Sequence, residues 1–200
     1  MPLIVDHDER RRHVAAIASG LIARKGLYAV TVRDVAQAAG YSTKIVSHYF
    51  KDKDALLRFV FREEAAAAVS RVRQAHRGKD LQACLELLLP LDAVTRRDWR
   101  MWIAFWGRAA FDRAFAREQT GRAREARKLI TELLEEQRRA GRLAVECDCA
   151  FHASRLLSAL VGIATQAIFD PRGWPAHRQR AVLAAELATL PVGAVSAAMR

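Results

Sequence analysis

The sequence predicts an all-α protein built from a small N-terminal domain and a larger helical body. Apolar residues recur at helical spacing along most of the 200 residues, and no segment alternates in the way that a half-buried β-strand does. Glycine and proline interrupt these segments at intervals, as they do at helix ends. A long alanine-containing stretch begins at residue 53, so we expect one domain over residues 1–52 and a second over residues 53–200.

The first predicted helix carries an apolar stripe from Val14 to Ile22 and ends at Lys25. A basic last turn followed by a glycine, here Gly26, is typical of a helix C-terminus. Three arginines at residues 10–12 stand just ahead of this helix. Since runs of charge are usually solvated, we favour a solvated helix start over an arm that touches a phosphate.

Residues 31–50 predict two short helices joined by a turn at Gly40. Thr31 and Ser42 are good N-cap residues, Asp34 follows three residues after Thr31, and glycine readily adopts the left-handed conformation that ends a helix. The second helix has a polar arc, formed by Thr43, Lys44, Ser47 and His48. Its opposite arc is apolar and is formed by Ile45, Val46, Tyr49 and Phe50. This pattern is typical of a helix-turn-helix that reads duplex DNA.

The polar arc is compact and rich in hydrogen-bonding groups, which suits side chains that meet base edges in a major groove. Tyr49 lies at the border of the two arcs, where its ring can pack while its hydroxyl reaches a phosphate. Lys53 follows a further N-cap at Asp52 and is the second predicted phosphate contact. Such contacts fix register but carry no sequence information. The alternative is a capped helix pair in a protein that never touches DNA.

Charge agrees with a nucleic-acid partner without proving one. The formal net charge is +11 and the isoelectric point is near 10.4, which favours a polyanion but does not separate nucleic acid from an anionic membrane. The N-terminus lacks a secretory signal, and no stretch approaches the roughly 20 apolar residues that cross a bilayer. We therefore expect a cytoplasmic protein that binds double-stranded DNA and no membrane.

Catalytic and metal-binding patterns are not found in the sequence. Cys84, Cys147 and Cys149 fit a reducing compartment better than a disulfide framework. Cys147 and Cys149 are too close for the usual zinc pairing, and only His152 lies near enough to help. There is no serine nucleophile elbow, glycine-rich phosphate loop or histidine pair at metal spacing. We predict that the protein is not an enzyme and uses no metal and no cofactor.

The body of the chain shows five helical patterns after the connector. They cover residues 81–88, 97–111, 126–134, about 148–169 and about 175–190. The fourth of these is apolar nearly all round and must be buried on several sides. Together with the last helix it can pair with the same helices of a second subunit, or it can be buried inside one monomer. Because a two-fold dimer reads two half-sites at once, we expect a homodimer on an inverted repeat.

The segment TVRDVAQAAGYSTKIVSHYFKDKDALL at residues 31–57 resembles the N-terminal domain of the TetR family of bacterial transcriptional repressors. The resemblance implies a sequence-specific DNA-binding regulator that pairs through its last two long helices. It also implies that Thr31 and Arg33 approach the DNA backbone or the groove edge. Family members release their operator when a small-molecule effector enters the helical body, which would move the connector helix.

Two later segments are similar to the C-terminal domain of the BetI-type branch, whose namesake controls choline and betaine genes. They are WRMWIAFWGRAAF at residues 99–111 and LVGIATQAIFDPRGWPAHRQRAVL at residues 160–183. The candidate wall of an effector pocket consists of Trp99, Trp102, Phe105, Trp106 and Phe111. Aromatic clusters are more often part of a core, which is the alternative interpretation. The aromatic rings of this wall would suit a choline-like cation, whereas the positive charge of Arg108 would disfavour such a ligand.

Three other functions would rely on the same basic charge or the same helix-turn-helix. A basic architectural protein would bind DNA through charge without selecting a sequence. A regulator that responds to no effector, or one that activates transcription, would need the same reading residues.

Overall fold

The computed structural model describes residues 7–76 and 80–193, and its regular elements are helices throughout these ranges, which confirms the all-α prediction. In chain order the described helices are α1 (His7–Lys25), α2 (Val32–Ala38), α3 (Thr43–Tyr49), α4 (Lys53–Ala75), α5 (Leu81–Glu86), α6 (Ala93–Ala109), α7 (Arg113–Arg139), α8 (Cys149–Phe169) and α9 (Ala176–Ala188). Across the described ranges, no helix combines the length and apolar character that crossing a bilayer requires.

The chain packs as two units whose limits differ from the predicted domains. The first unit comprises the described parts of residues 1–67 and 100–119, and the second those of residues 68–99 and 120–200. Each change of unit falls inside a long helix, namely α4, α6 or α7. A boundary inside a continuous helix has no glycine, proline or polar linker to mark it, so local sequence patterns do not locate it.

The first unit is built around one apolar core. α1 buries the predicted stripe at Val14, Ala18, Leu21 and Ile22, while Ile17 stays half-buried. Phe105 of α6 stacks on Phe61 of α4 with ring centroids 3.7 Å apart and planes 5° from parallel. Phe115 of α7 lies 4.7 Å from Phe105, centroid to centroid. Aromatic rings from three helices therefore close this core.

The basic run at residues 10–12 lies inside α1, so the expectation that it precedes the first helix was wrong. Acidic residues in the first turn, Asp8 and Glu9, stabilise a helix start further upstream through the helix dipole. Arg12 is exposed. Arg11 is half-buried instead, and its guanidinium lies 4.3 Å from the centroid of the Phe59 ring.

The second unit has a separate core formed by the end of α4, α5, the C-terminal part of α7, α8 and α9. α8 begins as predicted, with the Asp148 carboxylate accepting a hydrogen bond from the Phe151 N–H at 3.0 Å. One face of α8 is buried along Ala153, Leu156, Leu160 and Ile163. α7 is followed by Gly141 at φ +71°, the left-handed conformation expected at its stop.

The second unit also buries one charge. The carboxylate of Asp98 is 1% exposed and accepts hydrogen bonds from Arg71 at 2.8 Å and Arg97 at 3.1 Å. A buried carboxylate is tolerated when cations and donors surround it in this way. The arrangement fixes α4 to α6 within this unit.

Candidate nucleic-acid interface

Local hydrogen bonds build the helix pair as the sequence predicts. The Thr31 hydroxyl accepts a bond from the Asp34 N–H at 3.1 Å, and the Asp34 carboxylate accepts one from the Thr31 N–H at 2.8 Å. Gly40 ends the turn at φ +68°, a conformation that side chains disfavour. The Ser42 hydroxyl then accepts a bond from the Ile45 N–H at 3.3 Å and starts α3. These bonds set the direction of α3.

All four side chains of the predicted polar arc are exposed on α3. They are Thr43, Lys44, Ser47 and His48. On the other side of the helix, Val46 is 0% exposed and Phe50, just after the helix, is 3% exposed. Both pack in the core of the first unit. α3 therefore presents hydrogen-bonding groups to solvent while two apolar side chains anchor it.

Ile45 is 37% exposed, so its placement in the buried arc was wrong. The buried side chains are Val46 within the helix and Phe50 at its C-cap, so the buried stripe of α3 is narrow. Ile45 is rotated by about 100° from Val46 and leaves that stripe. A seven-residue helix offers too few turns for its pattern to define the width of the stripe.

Tyr49 and Lys53, the two predicted phosphate contacts, both lie in the first unit. Tyr49 is half-buried and packs against the core. Lys53, in the first turn of α4, donates a hydrogen bond from Nζ to the backbone oxygen of Tyr28 at 3.1 Å. An ammonium has three donors, so this bond leaves two for an incoming phosphate. The carbonyl partner lies 25 residues away in sequence and could not be identified from a local pattern.

Thr31 and Arg33 lie at the start of α2, and both are exposed. The Thr31 hydroxyl also donates to the Asp34 carboxylate at 2.7 Å, so this side chain already serves the helix cap. Hydrogen bonds from the side chain and the backbone of Thr31 hold the pKa of Asp34 below its ordinary value, with the Lys25 ammonium 3.7 Å away as a smaller cause. The cap is therefore charged at neutral pH.

One residue near this surface was missed by sequence reasoning. The ring of His7, in the first turn of α1, lies 6.1 Å from the ring of His48 and 5.9 Å from that of Tyr49, measured between centroids. His7 precedes the apolar stripe from which the first helix was predicted, so no periodicity marked it. The structure places it beside two predicted DNA contacts.

The five aromatic residues proposed as a pocket wall do not share one environment. Trp99 belongs to the second unit, where it is 4% exposed and its indole N–H donates to the Leu88 backbone oxygen at 2.8 Å. Phe105 is fully buried in the core of the first unit, and Trp102 and Trp106 pack against that core. Phe111 is 94% exposed beyond the end of α6, which contradicts its placement in a pocket wall. Helical spacing placed it with the others, but α6 ends at Ala109.

The second unit has a shallow groove of about 430 Å³ on the outer side of α8 and α9. Its lining consists of Phe151, Ser154, Arg155, Ser158, Ala159 and Glu186. Arg155 donates to the Glu186 carboxylate at 3.2 Å and to the Thr189 hydroxyl at 2.7 Å, which ties the two helices together. Ser154, Ser158 and Ala159 contribute small side chains to the groove, and Phe151 contributes one aromatic ring.

Cys84, Cys147 and Cys149 are all buried, and they are not joined in disulfides. Burial raises the pKa of the Cys147 thiol, and the neighbouring Cys149 adds to the effect. No cluster of three or more potential metal ligands occurs among residues 7–76 and 80–193.

Two sequence families match this chain. One, described as "Bacterial regulatory proteins, tetR family", matches residues 16–60, and the other, described as "BetI-type transcriptional repressor, C-terminal", matches residues 77–191. The second match alone spans more than half of the chain. The protein belongs to the TetR family. Members of this family are transcriptional regulators rather than enzymes.

Individual relatives that are named as transcriptional regulators agree with this assignment. The regulator PksA of Bacillus subtilis is 29% identical over 178 residues, covering 86% of this chain and 84% of that protein. The regulator BetI of Paraburkholderia phymatum is 31% identical over 168 residues, covering 80% and 82% respectively. The structure of a transcriptional regulator from Rhodococcus superimposes with a TM-score of 0.77 at 28% identity, covering 90% of this chain and 95% of that one. The expected resemblance to the TetR family and its BetI-type branch is confirmed.

Proposed function

We propose that this TetR-family regulator is a repressor that binds an inverted-repeat operator as a homodimer and leaves it when a small-molecule effector binds. The observation that supports DNA reading is the orientation of α3. Its polar side chains face solvent, and Val46 and Phe50 hold the opposite side in the core. A helix held in this way can enter a major groove with its early residues against the bases.

Within this proposal the side chains divide into two roles. Thr43, Lys44, Ser47 and His48 are the base-reading set. Thr31, Arg33, Tyr49 and Lys53 are the backbone set, which positions the protein on DNA. Lys53 suits this second role because the Tyr28 carbonyl already orients its ammonium.

A homodimer through residues 148–169 and 175–190 would cover the outer face of α8. This face exposes Phe151 by 58% and Phe169 by 70%, with Ser154, Ser158 and Gly162 between them. Small side chains allow two helices to approach closely, and two large exposed aromatic rings at the ends of such a face would lose contact with water on association. The same face in a second copy supplies a partner of matching shape, as two-fold symmetry requires.

The effector part of the proposal rests on the aromatic content of α6. Trp102 and Trp106 are half-buried in the first unit, so both could contribute an apolar surface there, whereas Phe105 serves the core of that unit and Trp99 belongs to the second unit. Arg108 hydrogen-bonds the Asp54 carboxylate and forms an ion pair with Asp112 at 3.6 Å. Two carboxylates therefore offset its charge, which weakens the electrostatic argument against a cationic effector. A regulator of similar fold from Saccharomonospora viridis was solved with choline, at 23% identity and a TM-score of 0.78.

The test of DNA reading is a footprint of the purified protein on DNA flanking its own gene, repeated against excess random duplex. A protected inverted repeat that survives competitor supports the repressor, and uniform weak protection supports an architectural protein. Lys44→Ala or His48→Ala should then relax base preference. Lys53→Ala should weaken binding to every sequence and reduce the salt slope by about one. Equal losses on all sequences for the three variants would contradict the assigned roles.

The effector is tested by calorimetric titration with choline and betaine aldehyde, followed by the footprint in the presence of any compound that binds. Heat of binding together with loss of the footprint supports release. Absence of both removes the choline-like effector from the proposal and leaves DNA reading unaffected.

A further inference from the structure

We infer that His7, in the first turn of α1, is a positioning residue for the DNA-reading surface of α3. The inference rests on the proposed function, because the proposed function assigns both His48 and Tyr49 to contacts with DNA. The ring of His7 lies 6.1 Å from that of His48 at an interplanar angle of 50°, and 5.9 Å from that of Tyr49 at 63°. The rings of His48 and Tyr49 are 5.6 Å apart at 70°. These three residues form what we call the His7 cluster.

The geometry of the His7 cluster is that of attractive aromatic contacts. Tilted and edge-to-face pairs with centroids about 4.5–7 Å apart are favoured over parallel sandwiches, because the positive edge of one ring meets the negative face of another. All three pairs fall in this range. The cluster also joins residues that are about 40 positions apart in sequence, so it links the start of α1 to the last turn of α3.

Exposure makes this contact matter for DNA reading. His48 is exposed, and an exposed side chain in a short helix samples several rotamers unless a neighbour restricts it. Contact with His7 and Tyr49 restricts the ring of His48 before DNA arrives. Less rotational freedom is then lost when the side chain meets a base, which strengthens binding without adding a contact to DNA. His7 acts through His48 and Tyr49.

The chain supplies a matched control on the same helix. Like His7, His13 is exposed and contacts an aromatic ring, because its own ring lies 6.2 Å from that of Tyr41 in the turn between α2 and α3. In the part of the chain that the structure describes, the ring of His13 pairs with neither His48 nor Tyr49. Substituting His13 therefore tests whether loss of any histidine from α1 has the same effect.

The first experiment needs no DNA. Aromatic side-chain signals of His48 and Tyr49 are recorded by NMR for the full-length wild type, His7→Ala, His7→Phe and His13→Ala, with far-UV circular dichroism to check folding. We expect both signals to move in His7→Ala and to stay near their wild-type positions in His13→Ala. Unchanged His48 and Tyr49 signals in a folded His7→Ala protein would overturn the inference.

The second experiment measures dissociation constants on the footprinted operator and on an operator altered at the bases His48 reads. We expect His7→Ala to weaken operator binding about two- to tenfold, the factor that corresponds to ordering one side chain, and to reduce discrimination against the altered operator. His7→Phe, which keeps a ring and removes the imidazole, should recover most of the loss, and His13→Ala should bind as the wild type does. An equal loss in His7→Phe and His7→Ala would overturn positioning by ring packing.

The two experiments separate this inference from the proposed function. If the wild type prefers no sequence, the proposed function fails, and so does the consequence for DNA reading. The NMR result then still decides whether His7 orders the two rings. If the wild type binds its operator selectively and His7→Ala binds it equally well, the inference alone fails.

Discussion

Replacing Phe105 with alanine distinguishes a core residue from the wall of an effector pocket. The ring is 0% exposed, stacks on Phe61 at 3.7 Å and lies 4.7 Å from Phe115. A buried phenylalanine truncated to alanine loses its transfer free energy and leaves a cavity, which together cost about 3–5 kcal/mol. For a chain of this length we expect the midpoint of thermal unfolding to fall by roughly 6–20 °C.

The assay is urea unfolding of Phe105→Ala, followed by far-UV circular dichroism and by tryptophan fluorescence, which reports on Trp102 and Trp106 beside the same core. Phe111→Ala is the matched control, since the same atoms are removed from a ring that is 94% exposed. It should change the free energy of unfolding by no more than about 0.5 kcal/mol. A loss below about 1 kcal/mol in Phe105→Ala would refute the core assignment, because a pocket wall keeps its fold when its ring is removed.

Four further predictions concern the helix pair and the dimer. Thr31→Ala should lower the free energy of unfolding in urea by about 0.5–2 kcal/mol through loss of the cap. Thr31→Ser keeps a capping hydroxyl and should retain most of that stability. Gly40→Ala should cost about 1–2 kcal/mol because φ is +68° there, although a Cβ would meet no atom within 4 Å; Gly107→Ala, with equal space in α6 and an ordinary φ, should not destabilise. Because the pKa of Asp34 is lowered in the folded protein, its carboxylate contributes to the free energy of unfolding. This contribution is complete above the ordinary carboxyl pKa and is lost as the pH falls through the lowered pKa. Asp34→Asn should therefore lose less stability than the wild type when the pH is lowered through this range. Phe169→Asp should convert the dimer to a monomer in sedimentation at micromolar concentration, whereas Phe111→Asp should not; dimers of equal stability for both would place the interface elsewhere.

Features that depend on neighbouring residues could be predicted from the sequence. The predicted caps at Thr31, Ser42 and Asp52 and the predicted helix stops at Gly26 and Gly40 all appear in the structure, because a cap is decided by bonds to residues two or three positions away. The polar arc of α3 was identified for the same reason, since a helix fixes which side chains share a face.

Features that depend on distant residues could not be predicted. Nothing near Lys53 in sequence indicates that its ammonium binds the Tyr28 carbonyl, and nothing near Phe105 indicates that it stacks on Phe61. The pattern of α6 was apolar and aromatic, but whether such a face covers a core or lines a cavity is decided by what packs against it. The exposure of Ile45 and Phe111 has a related cause, because the edge of a stripe and the last turn of a helix are where periodicity is least informative.

The seven-residue length of α3 has a consequence for how new binding preferences arise. Isolated helices shorter than about 12–15 residues are marginal in water, so α3 owes its conformation to Val46 and Phe50 and a synthetic peptide of α3 alone should be largely unfolded. Mutations at positions 43, 44, 47 and 48 leave those two anchors untouched. If these four positions read the bases, as we propose, then evolution or a randomised library can explore new target sequences there with little penalty in folding.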